Sequence, residues 1–390
     1  MTASGNSQTG RINVHQYRSG MAAFFLSGFC AISSGIIVSI LRDRYGFKYS
    51  FSGTLVSVMS IGNMTALLLS GLLPGIIGEK ATTLILCSGY FLGYLFMALT
   101  GNPVILLLAF LLAGISKGTA ANKCTILVGN NTDDRPKALS LMNAWFALGA
   151  LMCPFLISVL QKRGDYLPAV GVSVIGLLMW LVFFNAGLPG RVTSSVRETG
   201  KTGFSFLKSG TFWLLAMLIF CQNAAEYTVN GWVVTYYKSE QILSGTAAAY
   251  VVTVQWIMTL TARLLLAFRL KTRNLYLPLS VMGAGMTVMY IVLLQMHTAV
   301  PALIALGLLS FSLAGVYPLA VASVGEMMSS ASIGIILAIG GAGGIIFPFL
   351  VGIIADVVGL RNGMMVNVIP CIGIVVLPLI LQKYDPRLPV

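Results

Sequence analysis

Four polar side chains, Gln222, Asn223, Glu226 and Asn230, fall at helical spacing inside an apolar run from about Phe212 to Tyr237. Residues three, four and seven positions apart share one helix face, so this run carries a polar stripe with a carboxylate near its middle. An ionisable group at that depth costs several kcal/mol in lipid, about 3 by insertion scales, and must face other helices or a watery cavity. The amides supply donors and acceptors together, which suits a ligand rich in hydroxyls. They serve equally as hydrogen-bonding contacts between packed helices.

Lys117 is the matching feature in the first half of the chain, a cation near the middle of its own apolar run. Across a shared cavity, Glu226 and Lys117 form a candidate switch that pairs in one conformation and separates in another; alternatively, Lys117 binds backbone carbonyls within its own half. Lys123 lies six residues on, about 120° around the helix, and is expected to contact a neighbouring helix closer to the membrane surface. Asn122, Asn143, Gln255 and Tyr317 each place a polar tip within a span, and join Gln222, Asn223, Glu226 and Asn230 as candidate substrate-binding residues. Arg263, in the last turns of its run, and Asp356, at the end of another, are expected to be gating or structural charges. Trp145, Phe146, Trp232 and Trp256 offer rings for stacking or for packing.

The elements that carry these residues follow from composition. Of 390 residues 57% are hydrophobic and only 9% charged, with a mean hydropathy of +0.89, far from the roughly 25% charged residues of a soluble chain. The chain is expected to be an all-α membrane protein. Apolar runs near 18–41, 51–74, 81–100, 103–129, 137–160 and 167–188, then 210–237, 244–268, 275–297, 299–325, 329–357 and 361–382, give twelve transmembrane helices at about 20 residues each. The polar segment 189–209 reads as a cytoplasmic linker between two six-helix bundles, 18–188 and 210–382, with cytoplasmic tails at 1–17 and 383–390.

Lys and Arg gather in alternate loops. Arg11, Arg18, Lys80, Arg135, Lys137, Arg191, Arg197, Lys201, Lys208, Arg269, Lys271, Arg273, Lys383 and Arg387 lie on one side, with fewer opposite, at Arg42, Arg44, Lys48, Lys162, Arg163, Lys238 and Arg361. The positive-inside rule then puts both termini in the cytoplasm, in a plasma or inner membrane. The net charge of +13 is thus a topological signal, with no clustering of the kind that marks a nucleic-acid partner. The six cysteines lie in apolar segments with no CxxC pair, so free buried thiols are expected. No metal-ligand cluster, phosphate-binding loop or catalytic triad is legible, and no enzyme, cofactor or metal is expected.

An internal repeat supports the two halves. Cys153-Pro154-Phe155-Leu156 recurs as Phe347-Pro348-Phe349-Leu350, with Gly149 falling on Gly343, and Ser52-Gly53-Thr54 recurs as Ser244-Gly245-Thr246. Repeated bundles of this kind place a site near the bilayer midplane between them.

Thr119-Ala120-Ala121-Asn122, the stretch Asn143 to Pro154, Glu226 followed by Asn230, Gly231, Trp232 and Tyr236, and the runs Val316-Tyr317-Pro318 and Gly340 to Gly344 together resemble the major facilitator superfamily, and within it the fucose permease-like sugar transporters. That resemblance implies the major facilitator fold and a monomeric transporter, symporting with a proton or facilitative, that moves a sugar or similar small polar solute by alternating access. Gly118 stands where the family carries a fourth-span Glu, and residues 18–41 contain no acid, so the usual coupling carboxylates are missing. An exporter or antiporter of organic anions or amphipathic drugs is the alternative, because three cations and one acid fall within spans; a non-transporting sensor or lipid-handling protein is a further one.

Overall fold

The computed structural model describes residues 13–189, 208–269, 275–327 and 330–384. Its helices are α1 (Val14–Tyr45), α2 (Tyr49–Leu72), α3 (Pro74–Ile77), α4 (Glu79–Leu99), α5 (Pro103–Gly129), α6 (Arg135–Gln161) and α7 (Leu167–Asn185) in the first half. The second half has α8 (Gly210–Ser239), α9 (Val251–Arg269), α10 (Tyr276–Gln295), α11 (Ala299–Met327), α12 (Ser330–Val358), α13 (Leu360–Met365) and α14 (Val368–Gln382). All twelve expected spans coincide with helices, and eleven of the helical segments are long and apolar enough to cross a membrane among the described residues. The remaining span, α2, is 24 residues long and packs between α5 and α12. Most of the expected linker, 190–207, and the tail residues 1–12 and 385–390 lie outside the described residues.

Helix boundaries differ from the apolar runs where a cap decides them. α1 begins at Val14, ahead of the apolar run, because the Asn13 side chain accepts from the Gln16 N–H at 3.1 Å and so satisfies an otherwise orphaned donor. It ends at Gly46, whose φ of 67° is the left-handed C-cap that glycine adopts without cost. Asn102 caps α5 in the same way as Asn13 caps α1, with Pro103 at the first helical position. The eighth span opens with a 3₁₀ turn, Gly245–Tyr250, and the twelfth is broken between α13 and α14.

The repeat read from sequence appears as matched packing. Gly149 of α6 lies directly against the Phe25 carbonyl of α1, and Gly343 of α12 lies against the Phe220 carbonyl of α8. Both contacts leave no room for a Cβ, so small residues set the closest helix approach in each bundle. The six cysteines are free and buried.

The two bundles meet through α2 with α12, α1 with α8, and α6 with α9. Polar contacts between them run from the middle of the molecule toward the side opposite the start of α1, here the far side. Ser57 Oγ donates to the Ile345 carbonyl at 2.6 Å, and Asn63 Nδ2 donates to Tyr227 Oη at 3.4 Å. Glycines make the seam possible: a Cβ on Gly53 would sit 2.6 Å from the Pro348 carbonyl, and one on Gly352 would sit 2.5 Å from the Tyr49 carbonyl. Neither contact is with a flexible side chain, so the backbones themselves would have to part.

Gly53→Ala and Gly352→Ala are therefore expected to open the far side. The check is the labelling rate of Ser57→Cys, a position buried in this seam, with a membrane-impermeant maleimide added from the far side. Faster labelling is expected in either alanine background, and an unchanged rate contradicts the role assigned to these glycines.

Candidate functional site

Between the bundles lie two adjoining compartments of one central cavity. The first is lined from α1 by Ala31, Ile32 and Ser34, from α2 by Val56, Met59, Ser60 and Asn63, and from α5 by Lys117. Its other wall is Tyr227, Asn230 and Gly231 of α8 and Val252, Gln255 and Trp256 of α9. The second compartment is lined by Glu226 and Asn230 of α8, Gln255, Trp256, Thr259 and Arg263 of α9, and Leu313, Ala314 and Tyr317 of α11. Asn230, Gln255 and Trp256 belong to both and form the shared wall.

Five of the expected binding or switch residues, Lys117, Glu226, Asn230, Gln255 and Tyr317, are thus brought together. Gln255 Nε2 donates to Asn230 Oδ1 at 2.5 Å, which locks two amides of the shared wall to each other. Gln222 is fully buried one turn behind Glu226 and donates to its Oε2 at 3.1 Å, so it orients the carboxylate and does not itself line the cavity.

Others fall elsewhere. Asn122 donates to Ser70 Oγ at 2.8 Å inside the first bundle, Asn143 is exposed and donates to the Leu139 carbonyl of its own helix, and Asn223 lines neither compartment. Trp232 is fully buried and donates to the Pro348 carbonyl, so its ring is a packing element, whereas Trp256 lines the cavity. Lys123, 3% exposed, pairs at 2.9 Å with Glu79 at the start of α4, as an inter-helix contact.

The expected direct pair of Lys117 with Glu226 does not form in this conformation. Their charged atoms are not within 4.0 Å, and Lys117 Nζ instead stands 5.0 Å from the centroid of the Tyr227 ring. A cation on an aromatic face is attracted by about 0.5–2 kcal/mol, which orients the ammonium without neutralising it. Arg263 also departs from expectation: it lines the second compartment with Glu226, and its Nε is buried with no hydrogen-bond partner. Trp256 Nε1, in the shared wall, is likewise buried and unpartnered. Tyr227, Asn63 and Arg263 as a lining residue were not singled out by spacing. Tyr227 sits 100° from Glu226 on the helix and lines the first compartment, while Glu226 lines the second.

The far side is closed by charge. Asp356, at the end of α12, accepts from the Tyr49 and Ser50 N–H groups at 2.7 and 3.0 Å, capping the start of α2 from the opposite bundle. Lys238 Nζ donates to Asp43 Oδ2 at 2.9 Å, also between bundles, and the Arg42 guanidinium lies 3.9 Å over the Tyr49 ring.

A family model described as Major Facilitator Superfamily matches residues 20–332. The chain belongs to that superfamily. It is accordingly an integral membrane transporter of small solutes and not an enzyme. Solved structures similar to this facilitator include the nucleoside transporter NupG, with a TM-score of 0.77 at 14% identity, covering 95% of this chain and 99% of that one. A bacterial homologue of the human lysosomal transporter Spinster, in an inward-facing and unoccupied conformation, gives 0.73 at 13% identity over 95% and 97%. Identities this low show the fold alone. A gallate transporter of Pseudomonas putida is 29% identical over 167 residues, a match that spans 40% of this chain and 36% of that transporter's length.

The Asp356 cap gives a direct expectation. Charge at a helix N-terminus is worth about 1 kcal/mol, so Asp356→Asn is expected to shift the far-side equilibrium about fivefold toward opening. Lys238→Met, which breaks a single ion pair to the exposed Asp43, is expected to shift it less. Maleimide labelling of Ser57→Cys from the far side measures both, and equal effects, or none, would count against the cap.

Proposed function

We propose that this facilitator carries a small organic anion, a carboxylate, through alternating access of the two bundles. The observation that supports this reading is a mismatch of donors and acceptors around the cavity. Arg263 Nε and Trp256 Nε1 are buried beside it with no hydrogen-bond partner, and Lys117 lines it with its ammonium against the Tyr227 ring, while Glu226 is the one carboxylate lining either compartment among the described residues. A cation held away from bulk water is costly until an anion joins it. A neutral sugar would satisfy the hydrogen bonds and leave that charge uncompensated. The balance therefore favours the anionic solute over the sugar that the resemblance implies. Gallate, the substrate named for the relative from Pseudomonas putida, is a carboxylate, which agrees with this choice.

Glu226 is the proposed proton site, since among the described residues its carboxylate is held by the neutral Gln222 amide and by no ion pair. Proton symport and uncoupled movement are both compatible with one such group.

Uptake of labelled carboxylates and sugars into proteoliposomes tests the proposal. Saturable carboxylate flux is expected. Losing a charged hydrogen bond costs about 1.5–3 kcal/mol, so Lys117→Met and Arg263→Met are each expected to raise the apparent KM about tenfold or more. Sugar flux without carboxylate flux, indifferent to both variants, would overturn the reading. Glu226→Gln is expected to abolish the pH dependence of flux.

A further inference from the structure

The two compartments differ in charge, and we infer from this that the site takes a hydroxylated aromatic carboxylate in one fixed orientation, its carboxylate at Lys117 and its hydroxyls at Glu226. The inference rests on the organic-anion reading and deepens it. Among the described residues Lys117 is the only charged side chain lining the first compartment, accompanied by hydroxyl and amide groups. In the second, Arg263 and Glu226 line the same space, so donors and acceptors of both signs are present. An anionic group gains most where a cation lines the space and no carboxylate does. A hydroxyl, which both donates and accepts, gains most where a carboxylate and a guanidinium are both within reach.

The aromatic lining of the two compartments argues for a planar body. Trp256 lines both, with the Phe146 ring of the opposite bundle set at 5.6 Å and 60° to it. Tyr227 presents its face beside Lys117, and Tyr317 lines the second compartment. Aromatic side chains in both compartments favour a flat ring, stacked or edge-on, over an aliphatic body of equal area. The 2.5 Å Asn230 to Gln255 bridge lies in the wall shared by both compartments, where two amides can reach substituents on such a ring.

Binding to the full chain in detergent, measured by calorimetry with four probes, separates the parts of this inference. The probes are benzoate, 3,4,5-trihydroxybenzoate, its neutral amide, and cyclohexanecarboxylate. Lys117→Met is expected to weaken the two benzoates about tenfold and leave the trihydroxybenzamide unchanged, and Lys117→Arg is expected to restore the benzoates. Glu226→Gln is expected to weaken the trihydroxylated probes several-fold and leave benzoate unchanged. Cyclohexanecarboxylate is expected to bind more weakly than benzoate to the wild type. If carboxylates bind but the couplings are reversed, with Lys117→Met felt by the hydroxyls and Glu226→Gln by the carboxylate, the orientation is overturned while the organic-anion reading stands. Equal binding of benzoate and cyclohexanecarboxylate overturns the aromatic part. If none of the carboxylates binds a correctly folded wild type, both readings fall together. Melting curves of each variant confirm that a loss of binding is not a loss of fold.

Discussion

The cost of burying polarity away from water is the constraint on which this structure depends. In an apolar medium every charge and amide must find a partner, line a wet cavity or disappear from the sequence. The chain applies all three solutions. Lys123 is paired with Glu79, Asn122 with Ser70 and Gln255 with Asn230, and each pair fixes neighbouring helices. Lys117 lines the space between bundles, and Arg263 and Trp256 each bring to it a buried nitrogen with no hydrogen-bond partner.

Closure of the far side uses the same physics with the opposite outcome. Asp356 gives its carboxylate to the first N–H groups of α2, and Lys238 gives its ammonium to Asp43, so each bundle satisfies a charge of the other. Gly53 and Gly352 allow the backbones close enough for those bonds to form. Asp43 and Asp356 are both exposed, which suits a seam that must open and re-form during transport. The central cavity and the far-side seam are joined by α8, which carries Glu226, Tyr227 and Asn230 in its middle and Lys238 at its end.

Much of this arrangement was legible in the sequence, because apolar length and loop charge fix the spans and the repeat fixes the pairing of halves. The acid at Glu226 and the cation at Lys117 stood out for the same reason, as charges in runs that exclude charge. What the sequence could not supply was rotation. Asn122, Asn143 and Asn223 sit on faces that turn toward neighbouring helices or outward, and periodicity alone does not say which stripe of an apolar helix meets the cavity. Arg263 does lie in the last turns of α9, and distance along the chain gave no sign that it also lines the cavity. The packing of α9 against α11 and α8 decides it instead.

A structure of the protein with 4-iodobenzoate tests the account's central claim most directly, since the iodine marks one end of the ligand and the carboxylate the other. The account predicts the carboxylate within hydrogen-bonding distance of Lys117 Nζ, the ring beside Trp256, and the iodine toward Glu226. A ligand bound with its carboxylate away from Lys117, Arg263 and Trp256 alike, or a cavity left empty while saturable binding occurs elsewhere, would contradict it.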